Sequence, residues 1–319
     1  MSGIRFEPYR PGDEESIVQL FETCFDGRTI PLEYWRWRFL GNPTGQNAVE
    51  LAWDEGCLAG HYAVSPAVLM VNGKDCMAGL SATTMIHPAY RGRKLFPELA
   101  GRLYTRLAES GFSLVWGFPN SRSHRGFVRD INWDDVAQIP FFALDLSSIE
   151  RLGEVSTAIV ELQQFDPRFD GLWVAARPTN GLVVKRDSKY LNWRFKDNPA
   201  NKYRILAYVC GSKLLGYAVI SVYEETHLQV VDILFQPEVE IGLTLIKAAI
   251  DIAVKDQLSI IKMWLPVNLD LHQELERWGF VNTAPVTYFG VCPFAALPGN
   301  CDAADVRQWY FTMADSDVF

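Results

Sequence analysis

The sequence predicts an α/β protein, mixed α+β in character, with two halves that each form a mixed, mostly antiparallel sheet flanked by helices. Three observations support this prediction. A strand, a short basic loop, a helix and a second strand follow one another between Leu80 and Phe118. Turn signals at residues 54–56 and 72–73 separate the strands that precede this unit. An aromatic segment of the first half also recurs in the second half.

The first half alternates strand and helix patterns in a regular order. Runs of β-branched and aromatic residues predict strands, and apolar residues spaced three or four positions apart predict amphipathic helices. The predicted elements are a strand at 4–9, helices from Glu14 and at 32–40, strands at 48–53, 58–71 and 80–86, a helix from Leu95, and strands at 112–118 and 136–146.

The loop at residues 90–94, with the sequence YRGRK, joins the strand that ends at Ile86 to a helix in which leucines recur every four residues. The first N–H groups of a helix have no intrahelical partner, and the helix dipole places partial positive charge there. Basic side chains beside such a terminus predict an anion site that a pyrophosphate would fit. The alternative is an ordinary helix start with solvated basic residues.

The aromatic segment recurs at a constant offset of 156 residues. Residues 33–43 read EYWRWRFLGNP and residues 189–199 read KYLNWRFKDNP, and the same offset relates Leu58 and Gly60 to Leu214 and Gly216. Aromatic residues that recur in register favour an internal repeat. We therefore expect domains at residues 1–146 and 147–319.

The second half is predicted to repeat the fold without the anion site. Its predicted elements are a helical stretch at 149–165, strands at 204–209, 213–222 and 229–235, a helix at 240–254, a strand at 258–265 and a helix at 268–278. The loop at residues 237–240 (PEVE) is acidic where the first half is basic. Carboxylates there suit the helix dipole and repel a pyrophosphate.

Composition limits the function classes. The net charge of −8 argues against a nucleic-acid-binding surface. No apolar run is long enough to span a bilayer, and the N-terminus lacks the pattern of a secretory signal. The six cysteines contain no C-x-x-C pair, so we expect free thiols, no metal and a cytoplasmic location. A homo-oligomer remains open.

The residues His87-Pro88-x-x-Arg91-Gly92-Arg93, running into a Leu-rich helix and then a strand, resemble motif A of the GNAT acyltransferases. This resemblance implies that the loop holds the pyrophosphate of acetyl-CoA and that the end of the preceding strand bonds the pantetheine and the thioester carbonyl. The residues implied to contact the cofactor are Met85, Ile86, His87, Arg91, Gly92, Arg93, Lys94, Leu95 and Phe96. Asn120 after the next strand is a further pantetheine candidate, or a turn residue.

The doubled arrangement resembles the GNAT branch of the Eis-type N-acetyltransferases and two-domain acyltransferases found with bacterial surface-polysaccharide genes. It implies direct transfer of an acyl group from acetyl-CoA to a small-molecule amine, such as an amino sugar or a lysine-like amine. Lys94 and Phe96 stand where the family pattern has small residues. This departure motivates the alternative of a catalytically degenerate binding or scaffold protein.

The residues for proton transfer are less clearly marked. The position that matches the family's usual tyrosine acid is Val128, so His124, one helical turn earlier, is the candidate replacement; a helix-cap or surface histidine is the alternative. Eis-type enzymes use the C-terminal carboxylate as a base, which here is that of Phe319, with Asp317 beside it. A frayed acidic terminus is the alternative for that segment. His61 is a third candidate, or a satisfied core histidine.

Overall fold

The computed structural model describes residues 3–147 and 156–319. Mainly antiparallel strands are flanked by helices, which confirms the predicted fold class. The elements up to residue 145 are β1 (Arg5–Pro8), α1 (Glu14–Cys24), α2 (Leu32–Phe39), β2 (Val49–Asp54), β3 (Cys57–Val71), β4 (Lys74–Ile86), α3 (Leu95–Glu109), β5 (Phe112–Gly117), α4 (His124–Asp130) and β6 (Asp134–Asp145).

The elements of the second half follow the same order, with two short strands added, β8 and β14. They are β7 (Ile159–Leu162), α5 (Arg168–Ala176), β8 (Leu182–Val184), α6 (Ser188–Leu191) continued by a π-helical turn (Asn192–Lys196), β9 (Arg204–Cys210), β10 (Lys213–Tyr223), β11 (His227–Phe235), α7 (Val239–Lys255), β12 (Ile260–Met263), α8 (Asp270–Arg277), β13 (Val281–Pro293) and β14 (Trp309–Tyr310). None of the helices in the described residues combines the length and the apolar character that a membrane crossing requires.

The helix predicted at residues 149–165 is wrong where the structure describes it. Residues 149–155 lie outside the described residues, and Ile159–Leu162 forms strand β7. β7 pairs antiparallel with β9, with Ile159 opposite Tyr208. Two β-branched residues, Ile159 and Val160, favour this extended backbone over a helix.

The chain forms two compact units, and each takes its last strand from the other half of the sequence. The first unit contains Met1–Leu69, Lys74–Ala137 and Tyr288–Ala304, and the second contains Met70–Gly73, Gln138–Thr287 and Asp305–Phe319. In the first unit β5 pairs antiparallel with the end of β13. In the second unit β12 pairs antiparallel with the end of β6. The predicted domains 1–146 and 147–319 stay a prediction.

A pair of glycines makes room for the contact between β5 and β13. Gly117 and Gly290 lie opposite each other in this ladder. A Cβ atom on either glycine would come within 2.9 Å of the ring of Trp133, which is closer than side chains approach. The indole N–H of Trp133 donates to the hydroxyl of Tyr104 at 2.8 Å. The indole therefore covers the glycine pair and ties it to α3.

The two copies of the aromatic repeat have the same local structure. The side-chain carbonyl of Asn42 accepts the N–H of Thr44 at 2.9 Å, and that of Asn198 accepts the N–H of Ala200 at 2.9 Å. The ring pairs also correspond: the centroids lie 5.3 Å apart for Tyr34 and Trp37 and 5.6 Å apart for Tyr190 and Trp193. The repeated Asn-Pro therefore builds one kind of turn twice.

A buried ionic cluster fixes the C-terminal segment to the second unit. The Arg186 guanidinium lies between two buried carboxylates, 3.0 Å from Asp232 and 2.7 Å from Asp315. Thr312 donates to Asp232 at 2.8 Å. Burial raises the pKa of the Asp315 carboxyl, and the Arg186 charge opposes that shift. The frayed acidic terminus considered from the sequence is therefore wrong, because Asp315 and Ser316 are buried.

This cluster predicts a large loss of stability for Arg186→Met. The variant leaves two buried carboxylates without their cation, which costs about 3–5 kcal/mol of unfolding free energy. Arg204→Met is the matched control, because Arg204 forms a bidentate pair with Glu161 in which both side chains are about 40% exposed; an exposed pair contributes about 0–1 kcal/mol. Denaturant unfolding measures both, and equal losses would contradict this account of the cluster.

Candidate functional site

The basic loop and the first turn of α3 sit at the end of β4. β4 pairs in parallel with β5 from Met77 to Leu80 and then continues to Ile86. A parallel pair requires a crossover connection, and α3 supplies it. This topology places the N-terminus of α3 beside the carboxyl end of β4. The predicted arrangement of strand, basic loop and helix N-terminus is present.

A cleft of about 630 Å³ opens at this helix N-terminus. Three of its side chains are cationic, those of Arg91, Lys94 and Arg129, and one is anionic, that of Asp130. Arg129 forms a bidentate pair with Asp130, and this hydrogen bonding lowers the pKa of the Asp130 carboxyl. The cleft therefore has a surplus of positive charge, to which the dipole of α3 adds.

Six of the ten predicted cofactor residues line this cleft: Ile86, Arg91, Gly92, Lys94, Leu95 and Phe96. The other four lie elsewhere in the first unit. Met85 is buried in an apolar cluster against α1 and α2. His87 accepts the N–H of Ala89 through its Nδ1, and Arg93 stacks over the ring of Tyr90 at 4.9 Å. The side-chain carbonyl of Asn120 accepts the N–H of Arg122 at 2.9 Å in the turn before α4.

The sequence reasoning missed Arg129 and Asp130. Both follow His124 on the same short helix, α4. No local pattern marks them, because they reach the cleft from a helix that is separate from the basic loop and α3.

Lys94 takes the backbone conformation that a glycine would take. It caps α3 with φ 60° and ψ 26°, in the left-handed region, and Gly92 has φ 79°. The ring of Phe96 packs against that of Phe127, with centroids 5.0 Å apart. Neither departure from the family pattern closes the loop, since both residues line the cleft.

His124 lies at the start of α4 beside a carboxylate and an aromatic ring. Its Nε2 is 3.0 Å from an Asp135 carboxylate oxygen, and its ring stacks on Tyr288 at 3.9 Å. Asp135 and Tyr288 are neighbours that the sequence did not predict. A related stack occurs in the second unit, where the His272 ring lies 4.0 Å from that of Phe142. The stacking is therefore a feature of both units. Each histidine also has a carboxylate nearby, which lies 3.0 Å from Nε2 of His124 and, as Glu276, 3.6 Å from Nε2 of His272.

Phe319 belongs to the second unit, where its terminal oxygen is held by an arginine. Arg194 donates from Nη2 to the Phe319 oxygen at 2.5 Å and to the carbonyl of Ser316 at 3.3 Å. The Phe319 ring contacts that of Trp264 at 5.1 Å. The recurring arginine of the aromatic repeat thus binds the chain terminus in this unit.

His61 is a buried, neutral histidine in β3. Its Nδ1 lies 2.8 Å from the carbonyl oxygen of Thr83. Burial lowers its pKa from 6.5 to about 4. A carbonyl only accepts hydrogen bonds, so Nδ1 carries the proton and Nε2 is the unprotonated nitrogen. His61 is therefore in the basic form at neutral pH.

Comparisons with known proteins define the class of this fold. Residues 5–135 match the family model of the acetyltransferase (GNAT) domain. The fold resembles a probable N-acyltransferase from Enterococcus faecalis V583, with a TM-score of 0.72, 12% identity and coverage of 92% of this chain and 73% of that protein. No curated protein sequence matches this chain.

Two further solved structures share the fold. A GCN5-related N-acetyltransferase from Anabaena variabilis has a TM-score of 0.68 at 13% identity and covers 92% of this chain and 73% of its own. Saccharomyces cerevisiae N-myristoyltransferase, solved with bound myristoyl-CoA, has a TM-score of 0.62 at 12% identity, with coverage of 100% and 87%. The match of residues 5–135 to the acetyltransferase (GNAT) domain model agrees with the superfamily indicated by the loop motif. The resemblance to Eis-type enzymes stays a prediction.

The left-handed Lys94 predicts a difference between two variants. Lys94→Gly removes a backbone strain of about 1–2 kcal/mol, which raises stability. It also gives the unfolded chain more conformational freedom, which lowers stability by roughly 0.5–1 kcal/mol. Its unfolding free energy should therefore exceed that of Lys94→Ala, which keeps the strain, by about 0.5–1 kcal/mol. Denaturant melts of the two variants measure this difference. A less stable glycine variant would show that Lys94 is not held in this conformation.

The buried His61 predicts a loss of stability in acid. Between pH 6.5 and about 4 the unfolded chain takes up a proton that the folded chain does not. The free energy of unfolding therefore decreases by about 3 kcal/mol as the pH is lowered through this range. His61→Asn keeps a donor toward Thr83 and removes the titration. The difference in unfolding free energy between wild type and variant should therefore shift by this amount between pH 7 and pH 4, and a constant difference would contradict the assignment.

Proposed function

We propose that this chain transfers an acyl group from acyl-CoA, with acetyl-CoA as the first candidate, to a small-molecule amine. The observation that carries the proposal is the cationic cleft at the N-terminus of α3, within a segment that matches the acetyltransferase (GNAT) domain. The names of the similar structures, an N-acyltransferase, an N-acetyltransferase and an N-myristoyltransferase, support a CoA thioester as donor.

The residues of the cleft suit a pyrophosphate. Arg91 and Lys94 present exposed charges at the helix start, and Gly92 lets the loop turn without a side chain in the way. Free N–H groups of the first turn of α3 complete an anion site of the kind found at helix N-termini. Asp130 opposes the bound charge, because its carboxylate lines the same cleft.

Direct transfer needs an acid for the leaving thiolate. The amine nitrogen attacks the thioester carbonyl, the C–N bond forms, and the C–S bond breaks to release the thiolate of CoA. We assign the proton donor to His124, whose Nε2 is 3.0 Å from Asp135.

One observation favours the alternative of a scaffold that binds CoA without turnover. The position of the family's usual tyrosine acid is Val128, and its side chain is exposed. The two functions differ in a direct way. Both require CoA affinity, and only the acyltransferase releases free CoA thiol in the presence of an amine.

The test is calorimetric titration of the intact chain with acetyl-CoA, followed by a panel of amines that includes amino sugars and lysine. Arg91→Ala should weaken binding about tenfold through loss of one charge-assisted contact. Asp130→Asn should tighten binding about threefold by removing a charge that repels the pyrophosphate. Repeating the titration with myristoyl-CoA tests the acyl chain length.

Arg102→Ala is the matched control for these variants. Arg102 is an exposed cation on the same helix, paired with Glu98 at 2.7 Å. It should leave the affinity unchanged. If Arg91→Ala behaves like Arg102→Ala and Asp130→Asn has no effect, the cleft is not the CoA site. Binding without thiol release from any amine would support the scaffold alternative.

A further inference from the structure

Among the buried side-chain nitrogens of the first unit for which the described residues offer no hydrogen-bond partner, two belong to neighbouring rings of β3 and α2. They are the Nε2 of His61 and the Nε1 of Trp35. Both residues are 0% exposed. Their rings lie edge to face, with centroids 6.5 Å apart and an interplanar angle of 65°. Buried polar groups in native proteins are almost always satisfied, so the pair calls for a physical explanation.

The two nitrogens have complementary hydrogen-bonding roles. His61 donates from Nδ1 to the carbonyl of Thr83, which leaves a lone pair on Nε2. The indole Nε1 of Trp35 is a donor only. A single molecule that both accepts and donates satisfies the two together. Water has this property and is the usual occupant of small buried polar sites.

The second half of the chain shows what the same positions look like when they are satisfied internally. At the offset of 156 residues, His61 corresponds to Tyr217 and Trp35 to Leu191. The Tyr217 hydroxyl donates to the buried Asp232 carboxylate at 2.6 Å. Leu191 has no polar side-chain atom. At these two positions, the first half, which carries the cationic cleft, has a donor (Trp35 Nε1) and an acceptor (His61 Nε2) that the described residues do not satisfy.

His61 is joined to the strand that leads into that cleft. Thr83 lies in β4, shortly before Ile86, which lines the cleft. Its φ of 53° is left-handed, which is rare for a β-branched residue and marks a held backbone. The hydrogen bond from His61 to the Thr83 carbonyl therefore fixes the imidazole next to the irregular part of the strand.

We propose that His61 Nε2 and Trp35 Nε1 hold one buried water molecule, and that His61 takes up, through this water, the proton that the acceptor amine loses on acyl transfer. The second part rests on the proposed function. As the amine nitrogen bonds to the thioester carbon and the thiolate leaves, the N–H proton passes to the water and a water proton passes to Nε2. The thiolate takes its proton separately, from His124.

The first experiment decides the water site without any turnover. Ring ¹⁵N spectra at neutral pH should show His61 protonated at Nδ1 and unprotonated at Nε2. The indole proton of Trp35, assigned from its loss in Trp35→Phe, should show a cross-peak to a bound water. A protonated Nε2, or an indole proton without a water contact, overturns the site.

The second experiment decides the proton path. In His61→Asn, the amide keeps a donor toward Thr83 and the acceptor nitrogen is lost, so kcat should fall about 100-fold. Trp35→Phe loses only the indole donor, and its kcat should fall about tenfold. The dissociation constant and KM for acetyl-CoA should stay unchanged in both, which also shows that the variants are folded.

Trp173→Phe is the matched control, because Trp173 is also buried with an unpartnered Nε1 but lies in the second unit. Its kcat should equal that of wild type. Unchanged kcat in His61→Asn, with acetyl-CoA still bound, overturns the proton path. If wild type binds no acetyl-CoA or turns over no amine, the proposed function and the path both fail, and the spectra still decide whether the water site exists.

Discussion

The parallel pairing of β4 with β5 is the constraint on which the candidate site depends. Two parallel neighbours cannot be joined by a hairpin, so the chain must cross over, and here α3 is the crossover. The helix then begins where β4 ends, and its unpaired N–H groups meet the loop that carries Arg91 and Lys94. In the second half β11 and β12 are also parallel and α7 joins them. There the helix begins next to Glu238 and Glu240, so the same topology gives no anion site.

The last strand of each half explains why the chain is more than two independent copies of one fold. β13 completes the first unit beside β5, and β6 completes the second unit beside β12. A fragment that ended at residue 146 would contain β5 without its antiparallel partner, and the complementary fragment would lack the partner of β12. An unpaired strand edge exposes backbone donors and acceptors and favours aggregation. The exchange therefore makes each unit depend on the whole sequence.

The sequence could predict what depends on local patterns. The apolar period of α3, the turn signals of the hairpins and the basic loop are all local, and the structure contains them. Strand partners are not local, so nothing in residues 281–293 revealed that they pair with β5. The backbone of Lys94 was also beyond the sequence pattern, because a lysine gives no sign of a left-handed conformation. The site charges Arg129 and Asp130 were missed because they reach the cleft from a separate helix.

The two halves act as an internal comparison that separates residues of the fold from residues of the site. Asn42 and Asn198 build the same turn, so this turn belongs to the fold. His61 breaks the correspondence. Its counterpart Tyr217 is held by a buried carboxylate, whereas His61 keeps an unprotonated nitrogen in an apolar cluster. An unsatisfied buried nitrogen reduces stability. The proposed buried water would satisfy this nitrogen in the first half, as the Asp232 carboxylate satisfies the Tyr217 hydroxyl in the second half.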